Sequence, residues 1–200
     1  MSKGTKSILF ILAILVLDQS LKIWVKTNMF LGQEYKVIGN WFLLHFIENN
    51  GMAFGMEFAG KAGKLILSIF RIIAIGGIGW YLTSLIKKGY PYGLIFSISA
   101  ILAGAIGNII DSAFYGMIFT DSYFGTATFF SEGGGYSSFL HGKVVDMFYF
   151  PIINGSFPKW VPWLSGHDFI FFRPVFNLAD TSITLGVSSI LIFQKRFFKL

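Results

Sequence analysis

The 200-residue sequence contains no cysteine, which excludes disulfide bonds, a thiol nucleophile and thiolate metal ligands. Its three histidines, His45, His141 and His167, lack the His-Glu-x-x-His spacing of a zinc peptidase. The sequence also has no Gly-x-Ser-x-Gly motif of the kind that carries a serine nucleophile. We therefore predict neither a metal nor another cofactor.

Charged residues are also scarce, at 13% of the chain, whereas 54% of the residues are hydrophobic and the mean hydropathy is +0.65. This composition is far more apolar than that of a globular domain and indicates an integral membrane protein. The 24 phenylalanines and 5 tryptophans are suited to aromatic belts at the two membrane interfaces. The net charge of +6 lies mostly in short clusters beside hydrophobic segments, so it reports topology rather than nucleic-acid binding.

Four hydrophobic segments are candidates for transmembrane helices. They cover residues 7–25, 64–86, 93–111 and 176–193. The basic residues that flank them form three clusters: Lys3 and Lys6; Lys87 and Lys88; and Lys195, Arg196 and Lys199. Because basic flanks favour the cytoplasmic side, we predict a mainly α-helical membrane protein of one domain, residues 1–200, with four spans and both termini in the cytoplasm. The outer loops then cover residues 26–63 and 112–175.

These two outer loops differ in composition. Residues 35–47 are rich in aromatic and branched side chains around a Gly-Asn pair, which predicts a β-hairpin or small β-sheet on the periplasmic side. Residues 125–136 are rich in glycine and serine, which predicts a mobile insertion rather than a lid over a site. The aromatic residues between 160 and 172 predict an interfacial loop or helix before the last span.

Arg71 interrupts the second hydrophobic segment, nearer to its outer end. A charged side chain within a span is costly and often marks a site. The long arginine stem can also carry the guanidinium to the membrane surface, and this second interpretation is the one that we predict from the sequence.

Two aspartates lie beside apolar residues, in Val144-Val145-Asp146 and in Phe176-Asn177-Leu178-Ala179-Asp180. Carboxylates in or beside a membrane are costly and usually mark a site. Two of them that converge on a low-dielectric pocket cannot both stay ionised, and a shared proton supplies one acid and one base. This is the chemistry of an aspartyl peptidase. Either aspartate alone would be better explained as a helix cap or a loop salt bridge.

Further polar residues map to the same outer interface as this pair: Asp18, Asn49, Asn108, Asp111 and Asn177. Each has an ordinary structural explanation. Asp18 and Lys22 can pair four residues apart on one helical face, and Asn49-Asn50-Gly51 is a common turn. Polar residues at helix ends can bind the terminal carbonyls through water. The shared depth of residues from every span and both loops nevertheless indicates a site.

The order of these motifs resembles the lipoprotein signal peptidase family, also called signal peptidase II. Five short motifs carry the resemblance over nearly the whole chain: Asp18-Gln19-Ser20-Leu21-Lys22, Asn49-Asn50-Gly51-Met52-Ala53-Phe54, Gly107-Asn108-Ile109-Ile110-Asp111, Val144-Val145-Asp146 and Phe176-Asn177-Leu178-Ala179-Asp180. The resemblance implies an aspartyl endopeptidase of the bacterial inner membrane, with its active site at the periplasmic face. Such an enzyme removes signal peptides from diacylglyceryl-modified prolipoproteins at the N-terminal side of the lipidated cysteine.

The resemblance also implies partners and roles. The expected partners are these prolipoproteins and membrane lipids, without cofactor or nucleic acid, and the protein is expected to be a monomer. Asp146 and Asp180 match the catalytic pair that activates water. The substrate-binding or supporting positions match Asp18, Lys22, Asn49, Gly51, Asn108, Asp111 and Asn177.

The chain departs from the family pattern in two places. Ser112 stands where the family commonly has an arginine, and Lys143 and Arg173 are candidates to supply the missing contact. The stretch from residue 112 to residue 143 is also longer than usual, and its role is left open.

Two other classes of protein fit parts of the sequence. A small transporter or proton-coupled channel also uses membrane aspartates, but it predicts carboxylates spread through the membrane depth, with inverted repeats and broken helices. Here the carboxylates gather at one face and the sequence shows no internal repeat. A lipid-modifying transferase or a structural membrane subunit would leave the pair of Asp146 and Asp180 without a task.

Overall fold

Long apolar helices dominate the computed structural model of the protein, which describes residues 1–51, 60–156, 160, 162–163, 166–171 and 173–198. The helices are α1 (Lys3–Asn28), α2 (Gly60–Lys87), α3 (Tyr92–Ile110), α4 (Gly116–Ile118), α5 (Leu178–Ile192) and α6 (Gln194–Phe198). Some predicted features lie outside the described residues: the end of the second motif, Met52-Ala53-Phe54, and the flanking residues Phe172 and Lys199.

Three helical runs in the described residues are long and apolar enough to cross a membrane: α1, α2 and the run Tyr92–Ile118. In the third run a π-helical turn, Asp111–Tyr115, joins α3 to α4, so the helix continues beyond the predicted end at residue 111. The fourth predicted span is shorter than expected, because α5 has only 15 residues. At 1.5 Å per residue it reaches about 22 Å, less than the roughly 30 Å of bilayer hydrocarbon.

The exposed faces of α1 and α2 are strongly apolar. Large side chains such as Leu12, Val16, Phe70 and Ile73 are at least 50% exposed. An apolar surface of this extent is rare on a soluble monomer, whereas lipid chains can cover it without cost. The helices therefore form a multi-pass membrane protein, in agreement with the composition.

Helix α3 lies at the centre of the bundle and packs against α5, α1 and α2. Small residues allow the backbones to approach closely, as is common between membrane helices. A Cβ atom on Gly104 would stand 2.2 Å from the carbonyl oxygen of Ala179, and one on Gly186 would stand 2.6 Å from that of Ser97. The start of α5 is thus fixed directly against the second half of α3.

A small antiparallel sheet lies where α1 ends and where the π-helical turn follows α3, and we call this part of the bundle the sheet end. The strand order is β1-β2-β3-β6, and the strands are β1 (Glu34–Ile38), β2 (Phe42–Asn49), β3 (Val144–Tyr149) and β6 (Val175–Phe176). Strands β1 and β2 form the hairpin that the sequence predicts over residues 35–47. Asn49 pairs with Val144 and Ile47 with Asp146, which places Asn49 and Asp146 on one face of the sheet.

A second, two-stranded sheet consists of β4 (Ile153–Ser156) and β5 (Asp168–Phe171). It replaces the interfacial helix that was one of the two predictions for this part of the chain. Trp160 and Trp163, between the two strands, are 81% and 97% exposed.

The predicted mobile insertion at residues 125–136 is instead folded against the helices. The N–H of Ala127 donates to the carbonyl oxygen of Lys26 at 3.0 Å, and the N–H of Tyr136 donates to that of Phe119 at 3.0 Å. Ala127 is buried in an apolar cluster at the sheet end that includes residues of α1, β2 and β3. These contacts make the insertion part of the structure that surrounds the predicted site.

Candidate functional site

Asp180 is positioned by the first turn of α5. Asn177 is the N-cap residue, and its side-chain oxygen accepts the N–H of Asp180 at 2.9 Å. The carboxylate of Asp180 in turn accepts the N–H of Asn177 at 3.4 Å, which completes a capping box. The structural explanation considered for the sequence, a helix cap, therefore applies to Asp180. The cap uses one carboxylate oxygen, Oδ2, and leaves Oδ1 for another donor.

Asp146 lies in β3 and is only 3% exposed. Its Oδ1 accepts the Nδ2 amide group of Asn177 at 2.7 Å, and its Oδ2 accepts that of Asn49 at 3.1 Å. Pairing of β2 with β3 brings Asn49 to this carboxylate, while the N-cap of α5 supplies Asn177. Asn177 thus contacts both aspartates of the predicted pair.

Asn108 of α3 links Asp180 to Asn177, the residue that also bonds Asp146. Its Nδ2 donates to Asp180 Oδ1 at 2.8 Å, and its Oδ1 accepts from Asn177 at 3.1 Å. The same oxygen accepts Lys22 Nζ at 2.9 Å. An ammonium group can only donate, so Lys22 forces the amide oxygen of Asn108 towards itself and the amide N–H groups towards Asp180.

Lys22 of α1 lies between two buried carboxylates. Its Nζ is 2.9 Å from Asp18 Oδ2 and 2.9 Å from Asp111 Oδ2, and all three side chains are at most 1% exposed. The pairing of Asp18 with Lys22 considered for the sequence is therefore present. It is part of a larger cluster, because a single ion pair would not bring Asp111 to the same lysine.

The two carboxylates of this cluster, Asp18 and Asp111, bind backbone N–H groups beside the predicted catalytic aspartates. Asp18 Oδ1 accepts the N–H of Ala179 at 2.9 Å, directly before Asp180. Asp111 Oδ2 accepts the N–H of Val145 at 3.2 Å, directly before Asp146. Each predicted catalytic aspartate thus follows a residue whose N–H is bound by a buried carboxylate.

Burial and charge perturb the Asp146 carboxyl group. Burial is the larger cause and the negative charge of nearby Asp180 is the second, and together they raise the pKa of Asp146 to about 7. The hydrogen bond from Asn49 acts in the opposite direction. Asp146 can therefore still hold a proton near neutral pH, as a carboxyl group that acts as an acid must.

Gln19 and Tyr115 also take part in the hydrogen bonds around the site, although sequence reasoning did not single them out. Gln19 Nε2 faces Asp18 Oδ2 at 3.1 Å and Asp111 Oδ1 at 3.0 Å, and the hydroxyl of Tyr115 donates to Gln19 Oε1 at 3.1 Å. Gln19 lies inside the first motif, so the sequence already placed it next to Asp18. Its role follows only from the packing of α1 against α3, which no local pattern encodes.

Gly51 and Arg71 meet beside Asn49. The N–H of Gly51 donates to Asn49 Oδ1 at 2.6 Å, and Arg71 Nη2 donates to the carbonyl oxygen of Gly51 at 2.6 Å. The structure differs here from the interpretation of Arg71 as a side chain that merely reaches the membrane surface, because a backbone carbonyl of the site binds its guanidinium.

Neither candidate for the missing family arginine bonds to the aspartate pair in the described part of the chain. Lys143 Nζ contacts Glu48 Oε2 and the Tyr123 hydroxyl, each at 3.2 Å, and Arg173 is exposed. Ser112 is buried and its hydroxyl donates to the carbonyl oxygen of Asn108 at 3.1 Å, within the helix.

A second charged cluster lies on the opposite face of β2 from Asn49. Glu48 forms ion pairs with Lys26 and with Lys143, and Ser122 Oγ lies 3.0 Å from Lys26 Nζ. Lys26 is fully buried and the Glu48 side chain is 2% exposed. These contacts tie the stretch from residue 112 to residue 143, through Ser122 and Lys143, to the strand that carries Asn49.

Metal binding has no obvious ligand set among the described residues, where no three or more histidine, cysteine, aspartate or glutamate side chains are grouped to hold an ion. The carboxylates of the site are bound instead by amides, backbone N–H groups and Lys22. The arrangement can move protons between carboxyl groups and a bound water or peptide.

Fold and site together define a membrane protein with two hydrogen-bonded aspartates, one buried and one half-buried, at one end of its helices. Two solved bacterial membrane enzymes have a similar fold. One aligns with a TM-score of 0.61 and 25% identity over 96% of this chain and 88% of its own. The other aligns with a TM-score of 0.60 and 27% identity over 94% of this chain and 91% of its own.

The family model for signal peptidase (SPase) II matches residues 10–196, so the chain belongs to this family. The lipoprotein signal peptidase of Porphyromonas gingivalis (strain ATCC 33277) is 50% identical over 187 residues, which are 93% of this chain and 81% of that protein. The lipoprotein signal peptidase of Amoebophilus asiaticus (strain 5a2) is 41% identical over 184 residues, which are 90% of this chain and 73% of that protein. The family resemblance drawn from the five motifs is thereby confirmed.

Proposed function

We propose that the protein is an aspartyl endopeptidase that cleaves signal peptides from diacylglyceryl-modified prolipoproteins, at the N-terminal side of the lipidated cysteine. Membership of the signal peptidase II family supports the peptidase activity and the prolipoprotein class. The observation that carries the catalytic type is the pair of buried Asp146 and half-buried Asp180, joined through Asn108 and Asn177.

In the proposed mechanism each aspartate takes up one proton and gives up one proton. Asp146 carries the shared proton near neutral pH, because burial and the charge of Asp180 raise its pKa to about 7. Asp180 then takes a proton from water as the water oxygen attacks the scissile carbonyl carbon, while Asp146 donates its proton to the carbonyl oxygen. The product of this step is a neutral gem-diol.

Collapse of the gem-diol completes the cycle. Asp180 gives its proton to the departing amine nitrogen as the C–N bond breaks, and one gem-diol hydroxyl returns a proton to Asp146. The products are a carboxylic acid and an amine, and the pair returns to its starting protonation state. This scheme needs no covalent intermediate.

The remaining predicted site residues are proposed to support this pair. Asn49, Asn108 and Asn177 donate to the carboxylates. Asp18 and Asp111 bind the backbone before each aspartate, and Lys22 pairs with both of them. Preorganised donors of this kind lower the cost of reorganisation during the reaction. Gly51 supports Asn49 through its N–H group.

The membrane placement is part of the proposal. Four spans with both termini in the cytoplasm would put the sheet end, and with it the aspartate pair, at the outer face of the bacterial inner membrane. A lipidated substrate could then keep its acyl chains in the bilayer beside the apolar helix faces. Its peptide bond would meet water at the aspartate pair.

Purified protein in lipid bilayers, incubated with a diacylglyceryl-modified prolipoprotein peptide, tests the activity. The same peptide without its lipid is the substrate control, and we expect it to be cleaved poorly. Asp146→Asn and Asp180→Asn should each abolish cleavage while the protein stays folded, because an amide can neither take nor give the proton. Asp121→Asn, a change at an exposed residue outside the site, should cleave normally.

Near wild-type turnover in either aspartate variant would refute the proposed pair. Equal cleavage of the two peptides would refute the substrate class without touching the pair. Since the two results are independent, the experiment separates the chemistry from the specificity.

A further inference from the structure

A chain of three hydrogen bonds leads from α2 to Asp146. Arg71 Nη2 donates to the carbonyl oxygen of Gly51 at 2.6 Å, and the N–H of Gly51 donates to Asn49 Oδ1 at 2.6 Å. Asn49 Nδ2 then donates to Asp146 Oδ2 at 3.1 Å. The guanidinium of a transmembrane helix is thus three bonds away from a proposed catalytic carboxylate.

The direction of each bond fixes the orientation of the Asn49 amide. An asparagine side chain can present either its oxygen or its N–H groups to a neighbour. Because the Gly51 N–H occupies the oxygen of Asn49, the N–H groups must face Asp146. A displaced Gly51 would release this constraint and allow the amide oxygen to turn towards the carboxylate, where it repels.

The backbone conformation of Gly51 and its lack of a side chain leave space for the Arg71 guanidinium. Its φ angle is +91°, a conformation that other residues rarely adopt. A Cβ atom at this position would stand 2.7 Å from Arg71 Nη1, so only glycine leaves room for the contact. The second motif therefore requires glycine at this position for two reasons: the turn conformation and the close approach of Arg71.

The same face of α2 forms two further hydrogen bonds, one to a side chain and one to the backbone. Lys64 Nζ donates to Asn50 Oδ1 at 3.1 Å, and Ser68 Oγ donates to the carbonyl oxygen of Leu140 at 3.1 Å. Lys64, Ser68 and Arg71 are four and then three residues apart, the spacing of a single helical face. The charge of Arg71 also attracts Asp180 and Asp146. A charged residue in an otherwise lipid-exposed helix is costly, which favours a role in the site.

We propose that Arg71 is a positioning residue for Asp146, which acts through Gly51 and Asn49. The inference rests on the proposed peptidase activity. It differs from two simpler roles: an anchor that only stabilises α2, and a group that binds substrate directly. Arg71 fixes the turn, the turn fixes the Asn49 amide, and the amide orients the carboxylate that donates the proton.

A double-mutant cycle on cleavage of the lipidated peptide tests this route. The variants are Arg71→Gln, Arg71→Lys, Asn49→Ala and the two corresponding double mutants. We expect Arg71→Gln to lower kcat by about tenfold with KM changed less than about twofold, since a lost positioning contact acts on the chemical step. Arg71→Lys keeps a charge and one donor for Gly51, so it should recover part of kcat.

The double mutants carry the decisive result. If Arg71 acts through Asn49, each double mutant should be about as slow as Asn49→Ala alone, because the route is already broken. Ser68→Ala is the matched control on the same face of α2, and its effect should multiply with that of Asn49→Ala. Should Arg71→Gln fail to fold, the Arg71→Lys arm still gives the coupling.

Two results would overturn the inference. If the effects of the Arg71 and Asn49 substitutions on kcat multiply, Arg71 only anchors α2. If Arg71→Gln raises KM and leaves kcat unchanged, Arg71 binds substrate instead. Failure of the wild-type protein to cleave the peptide would instead refute the proposed function. The three failures are distinguishable in one set of assays.

Discussion

Asp146→Asn should change the stability of the protein in a pH-dependent way, beyond its effect on turnover. The wild-type carboxyl group is 3% exposed, and burial together with the charge of Asp180 raises its pKa from 3.8 to about 7. An acid with a raised pKa in the folded state destabilises that state as the pH rises from its unfolded pKa to its folded pKa. The Asp146 carboxyl group therefore lowers the stability of the wild type between about pH 4 and pH 7, and the asparagine variant lacks this contribution.

The size of the effect follows from the two pKa values. One pKa unit corresponds to about 1.4 kcal/mol, so the ionisation penalty of Asp146 is roughly 4 kcal/mol at pH 8 and a little under 2 kcal/mol at pH 5. The amide also loses one acceptor towards Asn49 or Asn177, at a cost of about 1–3 kcal/mol that does not depend on pH. The stability of the variant relative to wild type should therefore be roughly 2.5 kcal/mol greater at pH 8 than at pH 5. The lost acceptor does not affect this comparison, because its cost is the same at both pH values.

Thermal unfolding in detergent micelles at pH 5 and pH 8 measures this difference. For a chain of this size we expect the Tm of Asp146→Asn, relative to wild type, to rise by about 5–10 °C between the two pH values. Asp121→Asn is the control, because its exposed oxygen can keep accepting the N–H of Tyr123. A relative Tm for Asp146→Asn that is the same at both pH values would refute the assignment of a buried, raised-pKa carboxyl group.

Three further changes test the packing around the site, each read as Tm and turnover in lipid. Glu48→Gln leaves two lysines, one of them fully buried, without their carboxylate and should lower stability by about 3–5 kcal/mol, unlike the exposed control Glu132→Gln. Gly104→Ala should lower Tm and turnover together, because its Cβ would stand 2.2 Å from an α5 carbonyl, whereas Gly76→Ala has open space and should do neither. Replacing residues 125–136 with a short polar linker should lower Tm and slow cleavage, and unchanged values for both would show that the insertion is dispensable.

The helices and the first hairpin were predictable because their signals are local. Long apolar runs give α1 and α2, and aromatic and branched residues around a Gly-Asn pair give β1 and β2. The continuation of α3 beyond Asp111 was not predictable, because residues far along the chain satisfy its terminal carbonyls. The N–H of Gly142 donates to the carbonyl oxygen of Ser112, and that of Ser137 to the carbonyl oxygen of Gly116.

The insertion shows why composition misled the prediction of mobility. Glycine permits flexible loops, but it also permits close backbone contacts. A Cβ on Gly135 would stand 2.1 Å from the carbonyl oxygen of Gly116, and one on Gly142 would stand 2.3 Å from that of Asp111. Both glycines are therefore sites of tight packing, and only the partner surface, which is distant in sequence, distinguishes the two uses.

The predicted site residues could be grouped from the sequence, whereas the hydrogen bonds between them could not be predicted. Polar residues at one depth and a family motif order are enough to select Asp18, Asn108 and Asp111. Neither signal tells that Asp18 binds the N–H before Asp180 or that Asp111 binds the N–H before Asp146. Those bonds depend on how α1 and α3 pack, and on the sheet register that places Val145 beside the helix end.

Lys22 gives these connections a common origin. It bonds to Asp18, Asp111 and Asn108, so one ammonium group sets the orientation of both carboxylates that hold the backbone and of the amide that bonds Asp180. Three buried oxygen ligands around one cation can be satisfied together only when α1 and α3 are in register. The separation of Asp146 from Asp180 therefore depends on the packing of α1 against α3, which is why residues of the first span contribute to a pair of aspartates that lie near the other end of the sequence.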